Sequence, residues 1–171
     1  MNWEAVFVGA CTTGEMDVID RLIEEGIDIN CEDNSFTGLS AACCESKPWV
    51  IDVVTKLITN GADVDHENRC GWNALDRVLA IRIFNLEVAS LLLDCSKLGI
   101  NRIANNDNDS NYLSVANTFE SYKFLIDNGI NVNHVYNNDE TILDRVVNSS
   151  QTDPEIRDYL IQHGAKEYHE L

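Results

Sequence analysis

One hydrophobic pattern recurs along the chain. A Val or Ile is followed four residues later by an apolar pair, and four residues after the pair begins comes Gly. Val18, Leu22, Ile23 and Gly26 form the first instance, and Val53, Leu57, Ile58 and Gly61 the second. The third is Val88, Leu92 and Leu93, with Ser96 in the Gly place. The fourth is Leu125, Ile126 and Gly129, with Ser121 in the Val place, and the fifth is Ile156, Leu160, Ile161 and Gly164. The leading Leu positions lie 35, 35, 33 and 35 residues apart. The spacing is one apolar stripe of an amphipathic helix. The Gly stands where such a helix ends in a left-handed turn, which Gly enters without steric cost. Alternation then follows in Ile27-Asp28-Ile29-Asn30, Ala62-Asp63-Val64-Asp65 and Ile130-Asn131-Val132-Asn133. It predicts a short extended segment turning into a loop.

A second pattern precedes each helix. Thr37-Gly38-Leu39-Ser40-Ala41-Ala42 and Asn73-Ala74-Leu75-Asp76-Arg77-Val78 are two copies. Asn111-Tyr112-Leu113-Ser114-Val115-Ala116 and Thr141-Ile142-Leu143-Asp144-Arg145-Val146 are two more. In each, a small polar residue is placed to cap a short helix whose buried face is Leu plus Ala or Val. Thr152-Asp153-Pro154-Glu155 offers the last long helix a cap and a first-turn Pro.

Loop, helix, turn, helix and then G-A-x-V-x, in a unit of about 33 residues, resembles the ankyrin repeat. Thr37-Gly38-Leu39-Ser40-Ala41-Ala42 is similar to that family's T-P-L-H-x-A-A, and Gly61-Ala62-Asp63-Val64-Asp65 to its G-A-x-V-N. Each motif alone is weak; five in phase, from Trp3 to Lys166, are not. The resemblance implies an all-α solenoid of five helix-turn-helix units with short hairpin-like finger loops, in a single domain spanning 1–171. The units run over 1–32, 33–67, 68–104, 105–135 and 136–171. The sequence also departs from the pattern. Gly38, Ala74, Tyr112 and Ile142 stand where the family has Pro, and Ser40, Asp76, Ser114 and Asp144 where it has His. Extra residues sit at Lys47-Pro48-Trp49 and Arg82-Ile83-Phe84, and unit four is short at Asn117-Thr118-Phe119. A local distortion is therefore expected around 96–119.

The resemblance further implies that first helices and fingers line a concave, partner-binding side. Phe36 and Trp72 precede the first-helix motif on adjacent fingers. They either anchor a partner, as exposed aromatics do, or pack on the neighbouring finger. Tyr136 is a third such aromatic. Arg77 and Arg145 either face the groove or form a surface ion pair with Asp76, Asp144 or an adjacent unit. With the polar finger residues Glu32, Asp33, Asp65, Glu67 and Arg69, these make up the candidate partner-binding set. Trp3 and Trp49 are expected to cover the edges of the core.

Charge changes what such a surface can bind. The chain has 171 residues with 29 acids and 12 Lys or Arg, a formal charge of −17. Residues 1–65 carry a net −10 of this. Such a surface repels phosphate backbones and anionic lipid, so neither nucleic acid nor membrane is an expected partner. A hydrophobic fraction of 44% and a mean hydropathy of −0.19 argue against disorder. The longest apolar runs fall far short of a bilayer span, and the first residues lack the features of a signal peptide.

Little catalytic chemistry is written in the chain. His66, His134, His163 and His169 show no metal-ligand spacing, and no phosphate-binding, dinucleotide-binding, nucleophile-elbow or zinc-protease motif occurs. Asp107-Asn108-Asp109-Ser110-Asn111 begins like a calcium loop but has Tyr112 where Gly is needed. Cys11, Cys31, Cys43, Cys44, Cys70 and Cys95 form no C-x-x-C pair. They are read as thiols acting as small buried hydrophobes in a reducing cytosol. The expectation is a cytoplasmic, monomeric, non-catalytic binder without cofactor or metal, whose partner is a basic protein. An inhibitor or immunity protein is one version of this. The alternatives are an adaptor or secreted effector engaging a host protein, or an acidic mimic of nucleic acid.

Overall fold

Capping decides where the helices begin. Thr37, Asn73, Thr118 and Thr141 each accept a hydrogen bond from the backbone N–H three residues on. In return, the side chains of Ser40, Asp76, Ser121 and Asp144 accept from the cap's own N–H. These reciprocal pairs satisfy donors that a helix start leaves orphaned. Helix ends follow the glycines: Gly26, Gly61, Gly129 and Gly164 all have φ between 81° and 93°.

The computed structural model describes residues 2–105, 109–149 and 153–171. Among them the chain is mostly helical. The α-helices are α1 (Trp3–Thr13), α2 (Met16–Glu24), α3 (Gly38–Ala42), α4 (Val50–Thr59), α5 (Ala74–Ala80), α6 (Leu86–Cys95), α7 (Phe119–Asp127), α8 (Ile142–Asn148) and α9 (Pro154–Gln162). Short 3-10 turns cover Tyr112–Ser114 and Tyr168–Glu170. A two-residue hairpin pairs β1 (Glu32–Asp33) with β2 (Phe36–Thr37) in antiparallel register. No helix among the described residues is long and apolar enough to cross a membrane.

Helices consecutive in the chain pack in pairs: α1 on α2, α3 on α4, α5 on α6 and α8 on α9. Contacts between pairs follow, α1 on α3, α3 on α5 and α4 on α6, and α7 packs on α9. One apolar core results, running from Phe7 to Ala165. Leu22, Leu57, Leu92, Leu125 and Leu160 all lie buried in it, as the stripe requires. Trp49 covers the core between α1 and α4, its indole seated directly on Gly14. A Cβ at Gly14 would stand 2.5 Å from that ring, and φ is +76° there, so both space and backbone require Gly. Trp3 does not cover the core as expected; it is 50% exposed. It lines a hollow with Val6 and with Asp17, Val18, Arg21 and Leu22 of α2.

Between 96 and 119 the chain is irregular. Only the 3-10 turn stands where the other segments have a first helix. Asn117 bridges the shortfall, its N–H donating to Leu79 O and its side-chain amide to Ala80 O at the end of α5. Ser121 does not extend the apolar stripe. It is buried at the start of α7, where its hydroxyl serves the cap. The calcium-like stretch falls partly on 106–108, outside the described residues, as does the Thr152 of the last cap; Asp153 caps α9, with Pro154 in the first turn.

A ladder of side chains ties each post-Gly turn to the next. Asn30 donates to Gly61 O and accepts from Asp63 N. Asn101 makes the same pair of bonds with Gly129 O and Asn131 N, and Asn133 with Gly164 O and Lys166 N. The second rung differs. Asp65 has no donor to offer, and Ser96, in the Gly place, supplies its hydroxyl to Asp65 at 2.6 Å while Lys97 N donates at 2.8 Å. Replacing Asn30 with Ala is expected to cost about 1–2 kcal/mol, as two net hydrogen bonds are lost. Urea denaturation measures this, and an unchanged midpoint would show that the rung contributes nothing.

Candidate partner-binding surface

The first finger is the β1–β2 hairpin. Its turn residues Asn34 and Ser35 have φ of 50° and 68°, the positive values that a tight two-residue hairpin demands. The hairpin pairs Asp33 with Phe36 and delivers Thr37 as the cap of α3. The second finger is organised by Asn68, whose Oδ1 accepts from Cys70 N and Trp72 N and whose own N–H donates to Trp72 O. Trp72 is thereby fixed one residue before the cap Asn73.

These two fingers bring three of the sequence candidates together. The Arg77 guanidinium carbon, on α5, stands 4.6 Å from the centre of the Phe36 ring and 4.8 Å from that of Trp72. Both are cation–π distances. Both rings are half-buried: Phe36 packs on the next segment through Arg77, and Trp72 packs on Arg77 within its own segment. Phe36 also lines a hollow of about 270 Å3 with Val8, Thr12, Asp33, Asn34, Ala41 and Cys44. Burial pushes the Cys44 thiol up, and the nearby Arg77 charge opposes that rise. Arg77 does not pair with Asp76.

Asp76 turns instead to Arg102, a residue the sequence did not single out. Arg102 is 5% exposed. Its Nη2 donates to Asp76, and its Nη1 to Glu67 and to Gly71 O. Its guanidinium lies over the Tyr112 ring, whose hydroxyl accepts from Asn73. Burial pushes the Asp76 carboxyl up to about 6 despite the Arg102 charge beside it. The partners are 26 and 35 residues away in sequence, so no local pattern marks them.

Several other candidates are corrected by the structure. Tyr136 is not an exposed anchor: it is 2% exposed, and its hydroxyl donates to Asn111. Glu67 is half-buried and pairs with Arg102, and Asp65 is half-buried and accepts from the Ser96 turn. Arg145 stacks on Tyr136 at 3.8 Å and pairs with Glu140 at 3.5 Å rather than with Asp144. Glu32 is exposed and bonds His66 Nε2 at 2.5 Å, Asp33 is half-buried at the hollow, and Arg69 is exposed. The thiols divide: Cys11, Cys31 and Cys43 are buried as expected, whereas Cys70 and Cys95 are exposed. Burial holds the Cys11 thiol up near 12.

One grouping brings a histidine to carboxylates. Ligand atoms of Asp144, Glu167 and His169 lie within 4.8 Å of one another. Capping explains it: Asp144 accepts from Thr141 N and from Tyr168 N, which ties the C-terminal turn to α8.

No protein-family model matches the sequence, and no curated protein matches it.

Proposed function

We propose that the chain is an ankyrin-like solenoid and a non-catalytic binder of a basic protein, acting as an inhibitor or immunity protein. The solenoid reading is supported by the three matched capping boxes at Thr37, Asn73 and Thr141, the left-handed glycines in phase and the side-chain ladder from Asn30 to Lys166. The binding reading rests on one observation. Phe36, Trp72 and Arg77 converge beside an open hollow on the face built by the first helices and fingers, in a chain of net charge −17. Half-buried aromatics on rigid supports are what interface anchors are made of. The acid excess would steer a basic partner to this face, most strongly over the N-terminal segments.

Affinity capture from lysate at low and moderate salt tests the reading. One stoichiometric basic protein is expected, with recovery falling as salt rises. Recovery of no protein at either salt overturns it. With the partner in hand, Phe36→Ala combined with Trp72→Ala should weaken binding at least about tenfold, as loss of two anchors does. The melting temperature should change little, since both rings are only half-buried. A collapse of the melting temperature would instead make the rings part of the core.

A further inference from the structure

We propose that Arg77 is the receptor for a carboxylate side chain of the protein partner, a single anion-binding point within an acidic face. The proposal rests on the reading of that face as partner-binding and adds the chemistry of one contact.

The guanidinium is held but not neutralised. Phe36 and Trp72 both lie within 5 Å of its central carbon. Contacts of this kind engage the flat faces of a guanidinium and leave its N–H edge for hydrogen bonding. Among the described residues, no ion pair and no side-chain hydrogen bond involves Arg77. Its Nε is buried and has no acceptor. Its terminal nitrogens are not buried and lie open to a ligand.

The same chain shows what satisfies such a group. Arg145 occupies the matching place in the last segment, one residue after the capping Asp144, as Arg77 follows Asp76. Arg145 also lies over an aromatic ring, that of Tyr136, and Glu140 pairs with it. Glu140 stands one residue before its cap. At that place in the third segment the chain has Trp72, and in the second Phe36. Aromatic rings thus stand around Arg77 where Arg145 has a carboxylate, and the place of the anion is left open to a partner. Arg102 also carries an orphan Nε. Both its terminal nitrogens are already in ion pairs and it is buried, so nothing from outside reaches it.

The two terminal nitrogens, which unlike Nε are not buried, can each donate to one oxygen of a carboxylate in two parallel bonds. A phosphate, with a charge of roughly −1.5 to −2, would meet stronger repulsion from the surrounding acids. The acid excess and Arg77 would then divide the work. The first draws in a basic partner; the second fixes its register by accepting one acidic side chain and rejecting partners without it.

The test uses the free protein with sodium acetate as probe. The Arg77 Nε–H cross-peak is followed by NMR and assigned by its loss in Arg77→Lys. Sodium chloride at matched ionic strength and sodium phosphate run in parallel. The expected result is a downfield shift that saturates with acetate, absent with chloride, while the paired Arg102 and Arg145 peaks stay in place. No saturating shift, an equal shift with chloride, or a larger one with phosphate overturns the proposal. Because the wild-type protein carries this readout, a folding defect in the variant cannot mask it. The outcomes separate the two readings. If capture finds a partner but acetate leaves Arg77 unmoved, only the carboxylate contact is lost. If acetate binds but capture finds no protein, the binder reading fails instead.

Discussion

Replacing Arg102 with Ala is expected to destabilise the protein by on the order of 3–5 kcal/mol at pH 7, as breaking a buried ion pair does. The arginine joins the second finger to the start of α5 through Glu67, Gly71 O and Asp76, and it covers the Tyr112 ring. Its removal leaves the Asp76 carboxylate buried without a cation. The loss should depend on pH. With its pKa at about 6, above the value in an unfolded chain, Asp76 binds its proton more tightly when folded. Its contribution therefore favours the fold at low pH and is lost as pH rises through about 6. Arg102 opposes this rise, so without it the carboxyl moves further up and the charged form is penalised more. Urea denaturation at pH 7 and pH 5 should show a larger deficit for the variant at pH 7. A deficit equal at both values, or one below about 1 kcal/mol at pH 7, would mean that the ion pair adds nothing.

Leu57→Ala is the second large effect, with an expected loss on the order of 2–5 kcal/mol from lost burial and the cavity left behind. Leu57 is fully buried in α4, in the middle of the apolar core. The register of the whole chain is tested by setting it beside Ile161, which stands one place after Leu160 in the last stripe and is 47% exposed. Ile161→Ala should stay within about 0.5 kcal/mol of the parent, as surface substitutions do. A small loss at Leu57 with a large one at Ile161 would mean the stripe faces the wrong way.

The parts of this fold that could be read in the chain are those written locally. A cap and its partner are three residues apart, a helix stripe repeats within one turn, and a left-handed helix end needs Gly. Thr37, Asn73, Thr141, Leu57 and Gly61 all behave as their neighbours in sequence require. Arg102, Tyr136 and Glu67 do not, because what decides their burial lies 25 to 35 residues away. A polar residue in a loop reads as solvated until its distant partner is known. The ladder shows the same limit: Asn30, Asp65, Asn101 and Asn133 are evenly spaced, yet their spacing alone does not separate a clamp from an exposed turn. Within the candidate surface, the adjacent positions of Phe36 and Trp72 were legible. The convergence of both on Arg77 was not, since it depends on how far α5 sits from the first finger.

The ladder also bears on how freely such a chain can be rearranged. Three of its rungs are interchangeable, an amide reaching to a glycine carbonyl and the N–H two residues on. The rung between Asp65 and Ser96 is not, because an acceptor without a donor meets a hydroxyl that stands in for the glycine. Transplanting 68–104 behind an asparagine-ended segment would break that match, as would placing another segment behind Asp65. The second and third segments are therefore keyed to each other, and at that joint the order of the chain cannot be shuffled or duplicated as modules can.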